Sequence, residues 1–332
     1  MIKMTFEQAA VDMFPEIAES GTITRKQAHT VTQAYKANGV KWPLHIINEP
    51  NCVSRGVFKF SADLEIESAI PAPVKVEETD SELDKRIRTT YSNMELLTKS
   101  VGDGITTSMI ISGAAGVGKS YTVKKVLEAN DQTTVHFIRG YVKATGIYKL
   151  LWENRQSHQT LVFDDCDSVF EDAVGLNLLK AALELSKSRR ICWMSEKEFI
   201  DEDGGQIPNY FDYEGQIIFL TNVDFHELIS KGSKMAPHLS ALESRSIYLD
   251  LQVRSNREKM MRITQVVGES SILEDRGIYK DDERLLMDYL YGNVDNLREC
   301  SLRTVEKLAA LYLASPTKWS QLADSVLLRV NR

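Results

Sequence analysis

The stretch Gly113-Ala114-Ala115-Gly116-Val117-Gly118-Lys119-Ser120 constrains this chain more than any other. It fits G-x-x-x-x-G-K-[ST] at every position, and its flanks supply the context the pattern needs. The apolar run over 108–112 reads as a buried strand, and 121–128, from Tyr121 on, reads as a helix. Glycines let a backbone wrap closely round a polyphosphate, several N–H groups point inward at it, and the helix N-terminus adds partial positive charge. Lys119 is placed to reach the β- and γ-phosphates, and the Ser120 hydroxyl to ligate Mg²⁺. The plainer reading, a glycine-rich turn ahead of an ordinary helix, leaves the complete strand–loop–helix context unexplained.

The surrounding pattern predicts the fold class. Apolar runs at 108–112, 133–138, 160–164, 216–221 and 246–251 alternate with helical periodicity. That order predicts an α/β core with a mostly parallel sheet and helices on both faces, its ligand at the C-terminal strand edge. Residues 190–214 interrupt the order and read as a hairpin-like insertion. Residues 255–332 are helical in pattern almost throughout.

Residues 1–62 read as a small, α-rich separate domain. Helical periodicity runs from Phe6 to Ile17. Thr22 or Thr24 offers an N-cap to a second helix over 25–36, and 42–47 suggests a short third helix. A short strand follows at 56–60. Helices ahead of a strand fit a winged-helix-like module, a shape that serves nucleic-acid binding and protein adaptors alike. Residues 63–84 carry eight acidic residues against one lysine, with Pro71 and Pro73, and read as an extended acidic linker.

Charge and composition narrow the partners. A formal net charge of −7 argues against nonspecific coating of nucleic acid, though not against a local basic track. No stretch approaches the roughly 20 apolar residues of a membrane span, and Glu7, Asp12, Glu16 and Glu19 are foreign to a secretory signal. The four cysteines form no C-x-x-C pair, which fits reduced thiols in a cytoplasmic protein better than a zinc site.

Two more strand ends carry chemistry. The 160–164 strand ends in Asp164-Asp165, where the first carboxylate suits Mg²⁺ and the second suits orienting or deprotonating an attacking water. The 216–221 strand ends at Asn222, whose neutral amide suits holding that water in line; an ordinary strand-end turn is the alternative. Phosphate loop, two-carboxylate strand, strand ending in Thr-Asn, then Leu239 to Arg245 before a final strand and a helical tail: over roughly 88–315 this order resembles the AAA+ ATPases.

The resemblance implies a P-loop ATPase core over 88–254 with a helical lid over 255–332, behind the 1–62 domain and a 63–87 linker. It implies ATP and Mg²⁺ as cofactors and a homo-oligomeric ring or spiral, often a hexamer. Gly113 to Tyr121 would form the nucleotide loop, with Lys119 and Ser120 in Walker A and Asp164 and Asp165 in Walker B. Asn222 matches sensor 1 and Arg245 the arginine finger that reaches a neighbour's nucleotide, although a helix-end arginine capping carbonyls is the competing reading. Sensor 2 is Arg303, with Arg298 as its rival. The chain departs from the family in ending Walker B with Asp-Asp rather than Asp-Glu, a feature shared with replication initiators and loaders. Slower turnover is the expected consequence.

Tyr141-Val142-Lys143 lies where AAA+ unfoldases carry an aromatic–apolar pore loop. The same residues also suit a base stacked on Tyr141 and a phosphate on Lys143. The leading expectation is therefore a cytoplasmic motor or loader acting on DNA, of phage or bacterial type. A polypeptide-threading remodeller is the alternative, and a slow ATP-dependent assembly switch the third.

Overall fold

The computed structural model describes residues 5–36, 40–44, 46–60, 78–194, 198–201 and 203–329. The chain divides into two compact units, residues 1–77 and 78–332.

In the first unit, α1 (Phe6–Met13) starts at Thr5, whose side chain accepts from the Gln8 N–H while Gln8 caps the Thr5 N–H in return. The single helix expected from Phe6 to Ile17 is two. Pro15 cannot supply the N–H that a continuous helix needs, and α2 (Glu16–Ser20) begins after it. Gly21 ends α2 in the left-handed conformation, at φ +61°. β1 (Thr22–Thr24) follows, and Thr24, not Thr22, caps α3 (Arg25–Ala34). Among the described residues of the expected 42–47 helix no helix forms, and the Ile46 and Ile47 N–H groups both donate to the Pro43 carbonyl. β2 (Cys52–Ser54) and β3 (Val57–Lys59) complete an antiparallel sheet of order β1-β3-β2. Phe6, Ile17, Ile23, Val31 and Phe58 fill its core.

The second unit opens with α4 (Asp80–Gly102), capped at Thr79 by Glu82. This helix starts inside the segment assigned to the acidic linker; residues 63–77 of that segment lie outside the described residues. Strand and helix then alternate: β4 (Ser108–Ser112), α5 (Lys119–Glu128), β5 (Thr134–Arg139), α6 (Ala144–Glu153), β6 (Gln159–Asp164), α7 (Ala173–Ala182). The insertion is a real hairpin. β7 (Arg189–Cys192) pairs antiparallel with β10 (Tyr210–Tyr213), and the small β8 (Phe199–Ile200) and β9 (Gln206–Ile207) pair between them. Arg189, 2% exposed, anchors its base by donating to the Ala182, Tyr213 and Gly215 carbonyls. β11 (Gln216–Thr221), α8 (Phe225–Ser230), α9 (Ala236–Glu243) and β12 (Ile247–Asp250) close the core.

The sheet is parallel, in the order β12-β4-β11-β6-β5. β4 and β11 are buried along their whole length, as strands covered on both faces must be. Alternate residues face opposite layers. Leu161, Phe163, Ile217 and Phe219 meet α6, α7 and α9, while Val162, Ile218 and Leu220 meet α4 and α5. α10 (Asn256–Glu269), α11 (Lys280–Gly292), α12 (Leu302–Ala314) and α13 (Trp319–Leu327) pack as a helical cluster round Ile263, Leu286, Leu290, Leu308 and Trp319. The α/β class expected from the sequence, a parallel-sheet P-loop core with a helical C-terminal part, is the observed one. No helix among the described residues is long and apolar enough to cross a membrane.

Candidate active site

Strand register brings the candidate residues together. β11 sits between β4 and β6, with Thr221 opposite Ser112 and Leu220 opposite Asp164, and β5 sets Arg139 opposite Asp164. The C-terminal ends of four strands therefore lie level, and Gly113, Arg139, Asp165 and Asn222 all emerge at one edge.

The 113–120 loop leaves β4 with the Gly113 N–H on the Thr221 carbonyl. Gly116 at φ +71° and Gly118 at φ +95° take left-handed conformations that an L side chain disfavours. Val117 is buried beneath the loop, while Ala115, Gly116, Gly118, Lys119, Ser120 and Tyr121 line a pocket of about 180 Å³. Lys119 is 6% exposed, and its Nζ donates to the carbonyls of Gly113 (2.7 Å) and Ala114 (2.9 Å) and to Asn222 Oδ1 (2.8 Å). Burial pulls its ammonium down to about 8, against the opposing pull of Asp165, Asp167 and Asp164.

Ser120 Oγ donates to Asp164 Oδ1 at 2.6 Å, and Arg139 Nε donates to Asp164 Oδ2 at 2.8 Å. Asp165 stands at φ +55°, a conformation that Asp and Asn tolerate better than longer side chains. Its Oδ1 accepts from Asn222 Nδ2 at 2.9 Å, and its Oδ2 lies 3.8 Å from the Arg303 guanidinium. Asn222 thus joins Lys119 to Asp165. A hydroxyl and a carboxylate side by side fit Mg²⁺, which uses few protein oxygens and keeps several waters. The pocket is also lined by the apolar residues Val266, Ile272 and Leu302 and by Glu306.

Of the two sensor 2 rivals, Arg303 lines this pocket; Arg298 instead donates to the Leu328 carbonyl. Arg245, just past α9, faces away from the pocket of its own chain. It pairs with Glu184 at 3.2 Å and donates to the Ala241 carbonyl. Tyr141 is 75% exposed and Lys143 exposed beside it, but Val142 is buried in the core under α6. Of the three expected contact residues, Val142 is therefore not exposed, because the strand-to-helix turn faces it inward.

Sequence reasoning missed three participants. Arg139 is the last residue of β5, and a charge at the ligand edge of a parallel sheet was its available signal. Asp167 accepts from Thr221 Oγ1 at 2.5 Å and holds the strand end that carries Asn222. Tyr91 donates to the Val117 carbonyl from α4 at 2.7 Å, and nothing in local sequence marks it.

No protein-family model matches this chain. It is 36% identical over 280 residues to the uncharacterized 36.7 kDa protein of the nrdC–mobD intergenic region of Enterobacteria phage T4, covering 83% of this chain and 85% of that protein. Among solved structures it is similar to domain III of the Thermotoga maritima replication initiation protein DnaA, at TM-score 0.45 and 13% identity over 72% of this chain and 92% of that one. It is also similar to the Thermotoga maritima RuvB Holliday junction branch migration motor, at TM-score 0.42 and 15% identity over 73% and 68% of the two chains. Brucella abortus NtrX in complex with ADP gives TM-score 0.38 and 15% identity over 69% and 50%.

Proposed function

This chain belongs to one family with the uncharacterized phage T4 protein and has an AAA+ P-loop fold, and on that premise we propose that it is an Mg²⁺-dependent ATP hydrolase working as a homo-oligomer on DNA. The observation that carries the hydrolase reading is the convergence of Lys119, Ser120, Asp164, Asp165, Asn222 and Arg303 on one pocket.

In this reading the loop N–H groups and Lys119 hold the β- and γ-phosphates. Ser120 and Asp164 hold Mg²⁺, which when bound neutralises charge on the phosphate oxygens. Asp165 takes the proton of the attacking water, and Asn222 fixes that water relative to Lys119. Arg303 meets charge on the transferring phosphoryl group. The apolar residues Val266, Ile272 and Leu302 would hold the adenine base. Arg245 turns away from its own pocket and in this reading serves a neighbour's, which calls for a ring or spiral, with a hexamer favoured.

The substrate reading rests on the exposed pair. Tyr141 offers a ring face to a base and Lys143 a cation to a phosphate, while burial of Val142 removes the apolar half of a polypeptide grip. The first unit adds three helices and a three-stranded antiparallel sheet whose first strand lies between α2 and α3, an arrangement compatible with a winged-helix-like module. We assign the work to the cytoplasm of an infected host, as a loader or motor in replication or recombination.

Steady-state ATPase rates test this, measured alone and with single-stranded DNA, duplex DNA or an unfolded protein, with Lys119→Ala as blank. Stimulation by DNA that is lost in Tyr141→Ala supports the reading. Stimulation by the unfolded protein alone makes the chain a remodeller. Negligible turnover combined with ATP-dependent assembly makes it a switch.

A further inference from the structure

The phosphate loop is gripped from outside at two consecutive peptide groups. The Gly116 carbonyl accepts from the Leu302 N–H at 2.9 Å, at the start of α12. The Val117 carbonyl accepts from the Tyr91 hydroxyl at 2.7 Å, from α4. In a trans peptide the C=O and the following N–H point in opposite directions, and no peptide bond among the described residues is cis. Holding these two carbonyls outward therefore turns the Val117 and Gly118 N–H groups the other way, and Gly118 lines the pocket. Neither N–H finds an acceptor among the described residues.

Tyr91 is itself held. It is 2% exposed, and the Arg262 guanidinium of α10 lies 3.5 Å from its ring centroid. Arg262 is 7% exposed, meets no carboxylate within ion-pair distance among the described residues, donates from Nη1 to Gln265 Oε1 at 3.3 Å, and leaves its Nε without a partner. A buried arginine in that state is costly unless the ring satisfies it. A guanidinium on the ring face polarises the phenol toward donation, and burial raises the hydroxyl to about 12, so it stays a donor at any physiological pH. Gly116 completes the joint: a Cβ there would sit 2.4 Å from Ser301 Cβ, so α12 reaches the loop only over a glycine.

We propose that Tyr91, held by Arg262, is a positioning residue that sets the phosphate-facing N–H groups of the loop, and that α10 and α12 thereby regulate phosphate affinity. The proposal rests on the phosphate-loop reading above. By linkage, a ligand that needs those N–H groups must also favour the docked arrangement of α10 and α12.

The test is calorimetric titration of the full chain with ADP and with AMP, in magnesium, for wild type, Tyr91→Phe and Arg262→Met. Wild type should prefer ADP, whose second phosphate needs the loop. Tyr91→Phe should weaken ADP about five- to tenfold and AMP much less, with the melting temperature of the nucleotide-free protein within a few degrees of wild type. Arg262→Met should shift the ADP-to-AMP ratio the same way without loss of stability, since a buried, unpaired charge is being removed. An unchanged ratio in both variants overturns the proposal and leaves the loop reading standing. A wild type with no preference for ADP overturns both. Equal weakening of ADP and AMP reduces Tyr91 to a packing residue and also overturns it.

Discussion

Arg139 donates to Asp164 across 2.8 Å from the neighbouring strand, while Ser120 takes the other oxygen of the same carboxylate. A guanidinium therefore shares the oxygens proposed for Mg²⁺. Arg139 is largely exposed, so the pair is screened and worth at most about 1 kcal/mol. Arg139→Gln should lower the Mg²⁺ concentration for half-maximal activity by a factor of about two to five. A rise in that concentration would show instead that Arg139 orients Asp164 for the ion.

Lys119 carries a pH signature. Its ammonium is pulled down to about 8 by burial, from 10.5 when free. Folding therefore costs most where Lys119 is charged in both states, below about pH 8, and the cost fades as pH rises towards 10.5. Lys119→Met should stabilise the nucleotide-free protein at pH 7, by on the order of 2 kcal/mol, with the gain vanishing near pH 10 in urea titrations. ATP affinity of the wild type should fall above pH 8, by up to about tenfold per pH unit. A flat profile from pH 7 to 10 would remove Lys119 from the phosphates.

Asp165 sits at φ +55°. Asparagine tolerates that backbone equally and differs only in charge, so Asp165→Asn should keep its melting temperature, bind ATP and stop hydrolysing it. Glutamate, although usual in the AAA+ ATPases that the chain resembles, should cost about 1 kcal/mol here and bring no gain in rate. A faster Asp165→Glu enzyme would refute the backbone explanation of the Asp-Asp pair.

Arg189 satisfies three carbonyls and has no carboxylate partner among the described residues. Arg189→Met should cost about 2–4 kcal/mol in urea unfolding, because those carbonyls lose their donor. Nucleotide affinity should hold, since the hairpin base lies outside the pocket. A loss below 1 kcal/mol would mean water replaces the guanidinium.

Arg245 faces away from its own pocket. Arg245→Ala should bind ADP normally yet hydrolyse ATP at least tenfold more slowly. Mixing it with Lys119→Ala should restore part of the rate, because each subunit then supplies what the other lacks. Absence of rescue in assembled mixtures would place Arg245 in a structural role.

The parts of this molecule visible in the sequence are those made by neighbours in the chain. The central strands β4, β6 and β11 stand out because burial on both faces demands near-unbroken apolar runs, and the loop because its glycines, lysine and serine are contiguous. Thr24 as a cap was legible for the same reason. The break at Pro15 is local too, and lay under a periodicity that continues across it. What stayed hidden joins residues far apart: Arg139 with Asp164, Thr221 with Asp167, and above all Tyr91 with Val117 and Arg262. Such pairs depend on strand order and helix packing, which no local pattern encodes. Val142 shows the converse, an apolar residue in an apparent contact loop that the turn into α6 takes inside.

β11 touches both β4 and β6, and each strand-borne part of the pocket is referred to it: the phosphate loop through β4, the carboxylates through β6, Asn222 at its own tip. It acts as a ruler against which separate parts are calibrated. Loss of one residue from its middle would carry Asn222 about 3.3 Å along the strand and turn its side chain to the opposite layer. The chain would keep its lysine, serine and aspartates and lose the alignment between them. Tolerance to length change should therefore be least in this strand, although only its last neighbour touches the chemistry.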